Sequence, residues 1–188
     1  MSLLPYCERL ASTQWSIALH ESLYMYPLVE SVHVLTLCVF VGFATLLDLR
    51  LLGLVLRRVR VDDVLDRLLP WTIGGFVVMV ISGVLLFYAI PVRTYQSVWF
   101  RSKLVFLVLA GINVWVFNSR IYTRVSEWGA DVRTPKAARR AGLYSLILWA
   151  LIVVFGRMIA YNWFDCDIQP QPAVINLVAG CVVPPAVP

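Results

Sequence analysis

Twenty consecutive residues, Trp71 to Ile90, carry no charge. Wound as a helix, such a run matches the hydrocarbon thickness of a bilayer, and the core of a water-soluble domain has no need of one. Three further apolar runs accompany it, so spans are expected over residues 28–56, 69–90, 101–119 and 141–162. The first is interrupted late by Asp48 and Arg50, and the third is the shortest. Composition agrees: 60% of the residues are hydrophobic and 14% charged, against about 45–50% and 25% in soluble domains. The expected fold class is all-α, a polytopic membrane four-helix bundle with an N-terminal interfacial helix. Residues 1–27 form an extracytoplasmic N-terminal segment, 28–162 the bundle, and 163–188 an extracytoplasmic Pro-rich tail.

The net charge of +5 would suit nucleic acid only if it formed a continuous face. Instead, 11 of the 16 Lys and Arg fall within residues 50–67 and 120–140, at the connectors between apolar runs. Basic connectors mark the cytoplasmic side. The 57–68 and 119–140 connectors are therefore expected inside and both termini outside, with no nucleic-acid partner. Tyr24, Tyr26, Tyr88, Tyr95, Trp99, Tyr161 and Trp163 would form the outer aromatic belt. Residues 1–27 lack the charged start and compact apolar core of a signal peptide. Residues 12–26 read instead as an interfacial helix, capped by Ser12 or Thr13, with Trp15, Ala18, Leu19, Ser22 and Tyr26 on one face. In the outward tail, Cys166 and Cys181 are expected to close a disulfide. Cys38 reads as a small packing residue, and Cys7 has no evident partner. No CxxC, CxxCH, P-loop, GxGxxG or HExxH motif occurs.

An ionisable side chain in a bilayer is costly and asks for a reason. Glu30, His33, Lys103 and Arg157 fall near the outer face. Asp48 lies fifteen residues past His33, about 22 Å along a helix, and reaches the inner side with Arg50. That inner pair has a structural reading: it meets headgroups, the neighbouring arginines or itself, and fixes the depth of the helix. In the outer layer, Glu30 and His33 are i, i+3 neighbours, so a carboxylate is placed to orient an imidazole. With Lys103 and Arg157 they would build a positive cup suited to an anionic amphiphile: haem propionates, a porphyrin, a quinone headgroup or a lipid phosphate. His33 is the only histidine in a span; His20, on the interfacial helix, would have to fold over to supply a second ligand. A copper site would have only Met25 and Met158 near His33.

The stretch Tyr26-Pro-Leu-Val-Glu-Ser-Val-His33, then Gly42 and Asp48-Leu-Arg50-Leu-Leu-Gly53, with Trp99-Phe100-Arg101-Ser-Lys103, resembles a bacterial family of four-span membrane proteins of unknown function, DUF6644. The match covers roughly residues 20–160. More remotely it is similar to the HemJ type of protoporphyrinogen oxidase and to CopD copper-resistance membrane domains. In the HemJ type a histidine and a lysine are associated with haem binding and activity. His33 and Lys103 match them, Gly42 and Arg50 match more loosely, and the other histidines of that pattern are missing. The resemblance implies a haem- or porphyrin-type pocket in a bacterial inner membrane, not protoporphyrinogen oxidation. The expected function is a redox or electron-transfer protein holding haem b. His33 would be the axial ligand, Glu30 would orient it, Lys103 and Arg157 would pair the propionates, and His20 is the candidate second ligand. Other membrane or periplasmic redox subunits would be its partners. Two alternatives stand beside it: a copper or small-solute transport module, and a non-catalytic anchor or assembly subunit of a larger complex.

Overall fold

A computed structural model describes residues 3–131, 134–161 and 163–181, and among them there are helices and no strand. Two short helices, α1 (Leu4–Ala11) and α2 (Gln14–Glu21), precede the first long one, α3 (Met25–Leu52). Next come α4 (Val61–Ala89), the short α5 (Pro91–Tyr95) and α6 (Val98–Val116). A π-turn at Phe117–Ile121 and a 3-10 turn at Tyr122–Arg124 lead from α6 into α7 (Val125–Trp128). The chain then forms α8 (Lys136–Met158) and the tail helix α9 (Ala173–Ala179). Four helices are long and apolar enough to cross a membrane: α3, α4, the Val98–Trp128 segment and α8. The protein is a multi-pass membrane protein.

Each span departs from its expected limits for a physical reason. The second begins at Val61, inside the expected connector: Asp62 and Asp63 suit the positive end of a helix. Val61 and Val64, one turn apart, are both buried. The third, expected to be the shortest, is the longest at 31 residues. Beyond the hydrocarbon-length run, Phe117, Ile121, Val125 and Trp128 continue an apolar stripe at helical spacing and pack against Leu51, Val61 and Ala138. The fourth runs from Lys136 to Met158, and residue 162, its expected end, lies outside the described residues. The first starts at Met25 and stops at Gly53, whose φ of 72° is left-handed. There Gly53 and Leu54 donate back to Arg50 and Leu49 carbonyls.

The α3 helix lies antiparallel to both α4 and α8. A Cβ on Gly75 would stand 3.4 Å from Phe40 Cβ, and one on Gly142 would stand 3.0 Å from the Asp48 carbonyl oxygen. Mid-depth, Phe40, Ala44, Met79, Ala110, Trp149 and Ile152 form an apolar band drawn from all four spans. The Phe40 and Trp149 rings meet edge-on at 4.6 Å. Cys38 does not pack there; it is exposed on the outside of the bundle.

Connector 53–60 and residues 129–131 and 134–135 of the next one share one end, the loop face. The N-terminal helices, α5 and the tail share the other, the terminal face. The interfacial helix expected over 12–26 is the shorter α2, preceded by α1, and Met25 and Tyr26 already belong to α3. Thr13 ends α1 and caps α2, its hydroxyl oxygen accepting from Ser16 N–H at 3.4 Å. The face on the bundle carries Ser16, which donates to the Tyr88 carbonyl at 2.8 Å, while Trp15 is 81% exposed. In the tail, Cys166 and Cys181 are disulfide-bonded with Cα atoms 5.2 Å apart. Arg93 pairs with Asp165 at 3.0 Å, and Arg101 donates to the carbonyls of Tyr95 and Val178, so the tail is fastened over the entrance of α6. Tyr88 and Tyr95 serve this end as hydrogen-bond partners: the Tyr88 hydroxyl meets Thr13 Oγ1 at 2.8 Å, and the Tyr95 hydroxyl accepts from Leu3 N–H at 3.2 Å. Pro184 and Pro185 lie outside the described residues.

Candidate functional site

His33 lies two turns into α3, half-buried against α4. Its Nδ1 is 2.9 Å from Ser82 Oγ. Ser82 has one proton to give, and the Val78 carbonyl, at 2.8 Å, is placed to take it. If Oγ accepts from Nδ1–H, the Nε2 lone pair is left for a ligand, which is the tautomer a metal ligand requires. Ser82 is followed by Gly83, where a Cβ would stand 3.2 Å from His33 Cε1. The glycine makes room for the ring.

Lys103, on α6, approaches from across the bundle. Its ammonium lies within electrostatic reach of His33. A Cβ on Gly156 of α8 would be 3.5 Å from its Nζ. Among the described residues Lys103 makes no hydrogen bond or ion pair. One turn earlier on the same face of α6, the Trp99 ring packs on Phe155 and Phe164, and its Nε1–H is buried with no acceptor. All four spans thus contribute to one cleft: His33, Ser82 and Gly83, Lys103 and Trp99, and Gly156. It is rich in donors and poor in acceptors, a setting for a carboxylate, a phosphate or a carbonyl oxygen. It is packed rather than open. Two cavities, of about 440 and 700 Å³, lie elsewhere and are not lined by these residues.

The other expected members stand apart. Glu30 is exposed and makes no hydrogen bond to His33; Ser82 holds the place expected for it. Arg157 is exposed and lies over the Tyr161 ring at 5.4 Å, one position past the Gly156 that faces Lys103. The His20 ring is edge-on to Tyr26 at 6.1 Å. Tyr26 precedes His33 by seven residues, about 10 Å along the helix, and His20 makes no hydrogen bond or ring contact with His33 among the described residues. Among the described residues no three His, Cys, Asp or Glu cluster in a way that would hold a metal ion.

The inner pair is not at headgroups. Asp48 is 6% and Arg50 1% exposed, both inside the protein, and they do not bond each other. Residues i and i+2 of a helix diverge. Arg50 turns to the loop face, where Nε donates to Val59 O at 2.9 Å and Nη2 reaches the Gly129 and Asp131 carbonyls at 3.5 Å. It ties both connectors to α3. The signal for that role was present in the sequence: an arginine one turn before a helix-ending glycine.

Residues 21–162 match the model of DUF6644, a family of unknown function. The chain belongs to that family. No curated protein and no solved structure matches it, the HemJ and CopD types included. In this DUF6644 protein the matched segment contains every residue of the cleft and both members of the inner pair.

Proposed function

We propose that this DUF6644 protein binds haem b, or a related porphyrin, in the terminal-side half of its bundle and serves in electron transfer. One observation carries the reading: an imidazole held at Nδ1 by Ser82, in a cleft with an unpaired lysine. The donor set suits a haem with one protein ligand, and seating it would require the packed helices to part. His33 would take the iron, and Lys103 with the Trp99 N–H would receive a propionate. Glu30 and Arg157 keep to the surface, and His20 packs on Tyr26. The group, when bound, supplies one-electron chemistry; the chain supplies the ligand, the charge pairing and exclusion of water. The basic loop face is cytoplasmic in this reading, so the cleft faces outward, towards membrane or periplasmic redox partners.

Protein purified after expression with ample haem should show a Soret band that shifts on reduction. His33→Ala should abolish it, while Lys103→Ala and Trp99→Phe should lower occupancy less. Colourless wild-type protein sinks the redox reading. Copper binding at His33 would then support a transport module, and stable co-purification of a partner an anchor subunit.

A further inference from the structure

The loop-side half of the bundle holds a second polar site, independent of any ligand at His33. Asp48 projects from α3 where α8 crosses most closely, beside Gly142 and the buried Ser145. Its carboxyl is buried, and Oδ2 has no hydrogen-bond partner. Among the described residues no salt bridge reaches it. On its own helix, Arg50 gives Nε and Nη2 to the connector carbonyls, while its Nη1 is, like Asp48 Oδ2, buried without a hydrogen-bond partner. On α8, Lys136, Arg139 and Arg140 line a separate surface cavity with Leu52 and Leu143. At the start of α4, Arg60 and Asp62 pair with each other at 2.8 Å, and Asp66 and Arg67 are exposed. The α6 helix offers Asn113, which donates to the Ala141 carbonyl at 3.1 Å. From the 129–131 connector comes Asp131, also exposed.

An ionised carboxylate left dry and unpaired is costly, whereas a carboxylic acid is only a polar group. We propose that Asp48, with Ser145 beside it, is a proton-binding site inside the loop-side half of the bundle. Uptake adds one proton to Oδ2 and removes one negative charge from the bundle; release reverses both. Asp48 is thus the place where this protein can couple a charge change elsewhere in the bundle to proton movement.

Infrared spectroscopy of the full chain in lipid at neutral pH tests this. A carboxylic C=O band that shifts in deuterated water is the expected signal of Asp48. It should vanish in Asp48→Asn, whose amide mimics the neutral acid in shape and should keep the melting temperature. Ser145→Ala keeps the carboxyl and should move the band. A wild-type spectrum without such a band overturns the proposal, as does a band that Ser145→Ala leaves in place. Should Asp48→Asn fail to accumulate, wild type and Ser145→Ala decide the matter between them.

Discussion

An imidazole between two membrane helices is defined by what holds its other nitrogen. Here the holder is a serine hydroxyl, itself bonded back to its own helix. Ser82→Ala should leave the bundle intact and weaken haem binding about 10–100-fold, the usual cost of losing a group that orients a ligand; haem titration followed at the Soret band measures it. His33 and Lys103 were legible in the sequence because ionisable residues are rare in spans. Ser82 and Trp99 were not, since a hydroxyl or indole in a span is ordinary and only contact geometry shows one anchoring a ring and the other lacking an acceptor. Glu30 was misjudged for a related reason: i, i+3 spacing permits a bond to His33 but does not compel one when the carboxylate can face outward. A second residue-scale expectation concerns Cys7, a free thiol buried in α1. Burial, with a smaller contribution from Glu8, pushes this thiol up. The thiolate is the nucleophile, so its share is lowered at neutral pH and grows only above the ordinary thiol range. Maleimide labelling should therefore have a pH profile displaced upward from that of a cysteine peptide, and Glu8→Gln should bring it part of the way back.

Among the elements, the α3–α8 crossing is the tightest test of packing. A methyl at Gly142 meets backbone at 3.0 Å, whereas one at Gly111 meets nothing within 4 Å. Gly142→Ala should cost about 1–3 kcal/mol, as overpacking does. Gly111→Ala should be close to neutral, and thermal unfolding of both in the same detergent compares them. Neither glycine declares its role in the sequence, because the hydrophobic pattern of a span is nearly the same all round. That uniformity is also why the number of spans was readable and their ends were not. Val61 and Val64, or Phe117, Ile121, Val125 and Trp128, lengthen helices through packing at the loop face, where hydropathy has already fallen. The split at Thr13 between α1 and α2 likewise depends on Tyr88, 75 residues away.

At the scale of the whole molecule, the charge distribution makes the firmest statement. Cysteine labelling or reporter fusions should place residues 53–60 and 129–135 in the cytoplasm and Cys166 outside; the reverse would turn the His33 cleft towards the cytoplasm. Four spans and a shared side for both termini were legible from apolar runs and basic connectors alone. The two polar layers were legible only as depths along α3, since which side chains converge at each depth is decided by α4, α6 and α8 together. Between those layers lies the band of Phe40, Met79, Trp149 and Ile152. It is a dielectric as well as a core. It contains no ionisable group and, apart from the indole of Trp149, no side-chain donor, so a proton has no relay through it. An electron needs none. Each layer can therefore sit at its own electrical potential, insulated from the other, and any influence between them must travel as an electric field or as a shift in how the helices pack.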